Sequence, residues 1–85
     1  MQKKLYINAH EQNIMDQAHA YSVCIGRSKV QFGSQEAAEK YAEEVAANQK
    51  RKALVYAIAE ICGGGCSAMY ASFCPKFGWN RGVLA

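Results

Sequence analysis

The sequence predicts an α+β fold: a small antiparallel sheet with two or three helices packed on one face. Three observations carry this. First, "YSVCI" and "KVQF" are two β-rich runs separated by Gly26-Arg27-Ser28, the pattern of a hairpin over about residues 21–33. Second, the stretch opened by Ser34 repeats its apolar residues with helical period. Third, residues 53–74, "ALVYAIAEICGGGCSAMYASFC", form the densest apolar run of the chain. At 85 residues the chain, 1–85, is one small domain with no room for a second core.

In chain order, "KKLYI" reads as a short N-terminal strand over residues 3–7, the third strand that a hairpin sheet needs for stability. Asn8 is a candidate N-cap, with Glu11 placed for a capping box. A helix from Ala9 to about Ala20 would carry Ile14, Met15 and Ala18 on one face. In the hairpin, Tyr21, Val23 and Ile25 share one face while Ser22 and Cys24 take the other. Ser34 caps the next helix, with Glu36 in the first turn, where the helix dipole favours it. On that helix Ala37, Ala38, Tyr41, Ala42, Val45 and Ala46 face inward. Glu36, Glu39, Lys40, Glu43 and Glu44 make an acidic face that is expected to be solvated and expendable for folding. Extending the phase puts Gln49, Lys52, Tyr56 and Glu60 inward, so the helix ends or bends near Asn48. A second helix is then expected over Lys52–Cys62, apolar nearly all round and stopped by Gly63-Gly64-Gly65. Ser67–Phe73 reads as a further helical turn before Pro75, and the tail after it as irregular.

Half of the residues are apolar and a fifth charged (51% and 20%), which is globular rather than disordered composition. The net charge is +3 and the isoelectric point about 8.7, below the level that by itself flags a nucleic-acid binder. The charge is uneven: residues 1–44 hold five basic and six acidic side chains, and residues 45–85 five basic and one acidic. Lys3 and Lys4 are followed by too short an apolar segment for a signal peptide. The expected location is therefore cytoplasmic, with free thiols in a reducing compartment.

Cys62 and Cys66 flank the three glycines, Cys74 follows, and Cys24 lies on the hairpin. Four thiolates could hold a tetrahedral zinc, but two close pairs are the usual spacing and the second pair is missing. Buried free thiols filling core gaps are the simpler expectation, ahead of a disulfide, zinc at all four cysteines, or an iron–sulfur cluster. No cofactor is expected. His10 and His19 are the only histidines, and neither is near a cysteine in sequence to serve as its base. "CGGGC" lacks the lysine and the Ser/Thr of a phosphate-binding loop. No catalytic constellation is visible, so the chain is not expected to be an enzyme.

Lys50-Arg51-Lys52, with Arg27 and Lys29 on the hairpin, could contact phosphates, against the plainer reading of a solvated helix junction. Residues 53–74 have near the length of a membrane span behind a basic cluster. Glu60 and the three glycines argue against one. In the tail, Tyr70, Phe73, Phe77 and Trp79 with Arg81 have the composition of an interface hot spot, though the same residues could wrap back to complete the core. The sequence thus points first to a small interaction protein that binds and regulates or inhibits a protein partner through the aromatic tail, in the style of small phage or mobile-element inhibitors. A nucleic-acid-binding regulator using the basic residues is the first alternative, and a small membrane-associated protein the second. Oligomeric state is left open by the sequence.

Overall fold

The computed structural model describes residues 5–84. It is α+β, and its sheet is larger than the sequence suggests. The elements are β1 (Tyr6–Ile7), α1 (Ala9–Asp16), β2 (Ala20–Ile25), β3 (Ser28–Phe32), α2 (Gln35–Gln49), β4 (Ala53–Ile61), β5 (Gly64–Cys74), β6 (Gly78–Arg81) and β7 (Val83–Leu84). Five strands form one antiparallel sheet in the order β3-β2-β4-β5-β6.

The capping signals act as written. The Asn8 side chain accepts from the Glu11 N–H at 2.8 Å while the Asn8 N–H donates to Glu11 Oε1 at 3.1 Å, closing the capping box of α1. The Ser34 hydroxyl accepts from the Ala37 N–H at 3.2 Å and starts α2. The β2–β3 hairpin turns through Gly26-Arg27, with Gly26 at φ 60°, the first-position glycine that a II′ turn requires.

Both helices lie on one face of the sheet. Ala38, Ala42 and Ala46 of α2 and Ile14 of α1 pack with Val23, Ile25, Val55 and Ala57 in one core. Small residues stand on both sides of that contact. Ala53, Ala57 and Ala59 of β4 and the three alanines of α2 are all fully buried, so helix and sheet approach closely.

Four expectations are corrected. Residues 52–62 do not form a second helix: Ala53–Ile61 is the central strand of the sheet, and α2 ends at Gln49. Ser67–Phe73 lies within β5, so the glycines are not a helix stop. The tail is ordered, since β6 pairs Trp79 with Phe73 and Arg81 with Ala71. Finally, the N-terminal strand does not join the hairpin sheet. It pairs in parallel with β7, Tyr6 opposite Val83; its expected start at residues 3 and 4 lies outside the described residues. Beside this pair, Gly82 donates to the Tyr70 carbonyl at 2.6 Å. A Cβ there would lie 2.8 Å from Ile7 Cγ2 and 2.9 Å from the Tyr70 oxygen, so this approach needs a glycine.

Candidate nucleic-acid interface

At one end of the sheet three connections meet. The β2–β3 turn follows Ile25, the α2–β4 connection precedes Ala53, and the β5–β6 turn follows Phe73 and Cys74. Ile25 pairs with Ala53, and Ala53 with Phe73, so the three connections are neighbours although they are far apart in sequence. Lys50 ends α2 in the left-handed conformation, φ 53°, and turns the chain back toward β4. The guanidinium of Arg51 lies against Gly26, its Nη1 2.6 Å from where a Cβ of Gly26 would stand.

This end gathers Arg27, Lys29, Lys50, Arg51, Lys52 and Lys76, all exposed. Among the described residues the one ion pair is Arg81 with Glu39, so none of the six is neutralised by a carboxylate. Cys74 stands at the same end, just before the β5–β6 turn. The backbone N–H groups of Lys76 and Phe77, helped by the charges of Lys52 and Lys76, hold its thiol below the ordinary thiol range. Part of this charge has a structural use, because cations beside a helix C-terminus oppose its dipole. That accounts for Lys50 to Lys52 and leaves Arg27, Lys29 and Lys76 away from the helix end, with no carboxylate partner among the described residues. Sequence reasoning found five of these residues but not their convergence, and it missed Lys76, which Pro75 places at the turn.

The aromatic tail is engaged within the chain. Tyr70 is buried, and its hydroxyl donates to Glu39 Oε2 at 2.8 Å. Arg81 Nη2 donates to Glu39 Oε1 at 2.7 Å, and Trp79 Nε1 to Glu43 Oε1 at 2.6 Å. The Trp79 ring lies 5.2 Å from that of Phe73, and the Arg81 guanidinium 4.7 Å from the Trp79 ring. Phe77 is the member of the set that stays largely exposed, at 52%. The acidic face of α2 is therefore not merely solvated: Glu39 and Glu43 anchor β5 and β6. Burial, the largest single influence on Glu39, pushes its pKa up; the hydrogen bonds from Arg81, Gln35 and Tyr70 outweigh it and hold the carboxyl below the ordinary range. Burial, then the bond to Glu39, pushes the Tyr70 phenol up.

The four cysteines do not converge. Cys62 and Cys66 belong to the β4–β5 hairpin end, and Cys24 and Cys74 to the opposite half of the sheet. All four are free thiols; Cys62 is exposed and the others half-buried, so they are not the fully buried gap-fillers expected. Among the described residues no three His, Cys, Asp or Glu side chains lie close enough to hold a metal ion. His10 and His19 are both exposed. No described helix is long and apolar enough to cross a membrane, and residues 53–74 are two antiparallel strands. Comparison with known proteins finds no matching family model, no matching curated protein and no matching solved structure.

Proposed function

We propose that this chain is a non-catalytic binding module that engages the phosphate backbone of a nucleic acid through its basic end. The observation that carries the reading is the convergence of Arg27, Lys29, Lys50, Arg51, Lys52 and Lys76 with no carboxylate among the described residues of the same chain paired to any of them. Exposed, unneutralised cations on three adjacent connections suit a polyanion, because each phosphate contact releases counterions and adds affinity. The turns carry the cations and the sheet fixes their spacing, which is the division of labour that backbone recognition needs. Tyr70, Trp79 and Arg81 are occupied within the chain, so the aromatic tail is a weaker candidate for the contact surface.

The test is fluorescence anisotropy with labelled single-stranded and duplex oligonucleotides over a salt titration. Binding that weakens steeply with salt is expected. Replacing Arg27 and Lys76 together by alanine should lower the salt slope by about 1 for each charge removed. A protein that binds neither oligonucleotide at low salt refutes the reading.

A second reading, a regulator or inhibitor of a protein partner, is favoured by Phe77, which stands exposed at the β5–β6 turn with the Lys76 ammonium 5.5 Å from its ring. Capture of a protein partner that survives nuclease treatment and is lost in Phe77→Ala would select it.

A further inference from the structure

We infer that the sheet face turned away from the helices is the interface of a two-fold symmetric dimer, its occupant a second copy of this chain. The strand pairing puts Leu54, Tyr56 and Ile58 of β4 and Met69 of β5 on that face. All four are half-buried, and none packs into the core that joins the helices to the sheet. The consequence is visible along β4. Ala53, Val55, Ala57 and Ala59 are buried under the helices, while the alternate positions from Leu54 to Ile58 are also apolar. A strand apolar on both faces is the signature of burial on both sides, yet within one chain only one side is covered.

The order of residues down that strand says what covers the other. Beginning with the residue just before β4 and taking every second position, the open face reads Lys52, Leu54, Tyr56, Ile58, Glu60. The series is complementary to itself. A two-fold axis at Tyr56 places Leu54 against the partner's Ile58 and Lys52 against the partner's Glu60, each contact occurring twice, as an isologous interface requires. Beside this stripe Ser22 stands next to Tyr56 and Ser72 next to Leu54, both buried, and Lys29, Gln31, Ser67 and Asn80 complete a polar surround to the apolar stripe. Glu60 is the single acidic residue among the open-face positions of the five strands. A nucleic acid laid over the face would meet that carboxylate; a second copy gives it a lysine.

This goes beyond the nucleic-acid reading and is measured without nucleic acid. The experiment is sedimentation equilibrium of the full chain across a concentration series, with circular dichroism melts on every variant. Wild type is expected to show twice the chain mass. Glu60→Lys changes an exposed side chain, so it should fold normally while its dimer weakens by roughly tenfold or more, as two lysines then face each other. Lys52→Glu alone should weaken it likewise, and the double variant with both changes should recover association. Tyr56→Glu should give a folded monomer. A wild-type chain that remains monomeric at all concentrations overturns the inference. So does a dimer indifferent to Glu60→Lys, or a double variant that fails to recover.

Discussion

Glu39 accepts hydrogen bonds from Gln35, Tyr70 and Arg81 at 2.8, 2.8 and 2.7 Å. One carboxylate thus joins the first turns of α2 to the middle of β5 and the end of β6. Glu39→Gln keeps the shape but removes the charge and turns a donor toward donors. The expected loss is about 1–2 kcal/mol, held to that range because Arg81 is half-exposed and water screens the pair. The dependence on pH has a definite sign. The folded chain holds the Glu39 carboxyl below its ordinary range, so the unfolded chain binds the proton more tightly. The stabilisation is complete above the ordinary carboxylate pKa of about 4.3 and is lost as pH falls through the lower folded value. Melts of wild type and Glu39→Gln should therefore differ at neutral pH and converge in acid. A gap that persists in acid would show that the carboxylate's charge is not what stabilises the fold.

The elements differ in how much of themselves they announce. The β2–β3 hairpin shows strict alternation and a turn glycine, and α2 shows both a cap and a period, so each is legible in the sequence. β4 is not, because Ala53, Ala57 and Ala59 favour a helix by propensity and the positions between them are apolar down to Ile58, so no polar face marks a period; the branched and aromatic residues Val55, Tyr56, Ile58 and Ile61 were the strand signal. β5 conceals itself by changing phase. Its pairing with β4 shifts between Val55 and Tyr56, leaving Tyr70 as an extra residue. Before this bulge Cys66 and Ala68 face the helices, and after it Ala71 and Phe73 do, so neither period fits the whole strand. The β4–β5 turn supplies a prediction. Ile61 pairs with Gly64 around Cys62-Gly63, with φ values of 52° and 78°, the two positive angles of a I′ turn. Cys62→Asn gives that turn its preferred residue and should raise stability by about 0.5 kcal/mol, read as a higher midpoint in denaturant. A lower midpoint would show that the thiol has a partner worth more than the strain.

At the scale of the whole molecule, the candidate site follows from the sheet order and not from any one segment. Arg27 and Lys29 are legible as a basic pair and Lys50 to Lys52 as a basic triplet, but their meeting depends on Ile25 pairing with Ala53, which a helical reading of residues 52–62 hides. Lys76 joins them only because β5 is a strand that returns to the same end. The opposite closure, between the first and last strands, rests on Gly82. Gly82→Ala should cost about 1–3 kcal/mol, because the added methyl meets the Tyr70 backbone oxygen, which cannot swing aside as a side chain could. An unchanged melting temperature would show that the β1–β7 pair contributes little.

The direction of that pair has a mechanical consequence. β1 and β7 run parallel, Tyr6 beside Val83 and Ile7 beside Leu84, with the Val83 N–H on the Leu5 carbonyl at 3.1 Å. Tension applied through residues 5 and 84 enters β1 at its first residue and leaves β7 at its last, pulling the two strands lengthwise in opposite senses. The bonds between them then bear the load together, in shear, instead of opening one after another as a zip would. A force drawn along the chain must slide this short clasp before it reaches the five-stranded sheet.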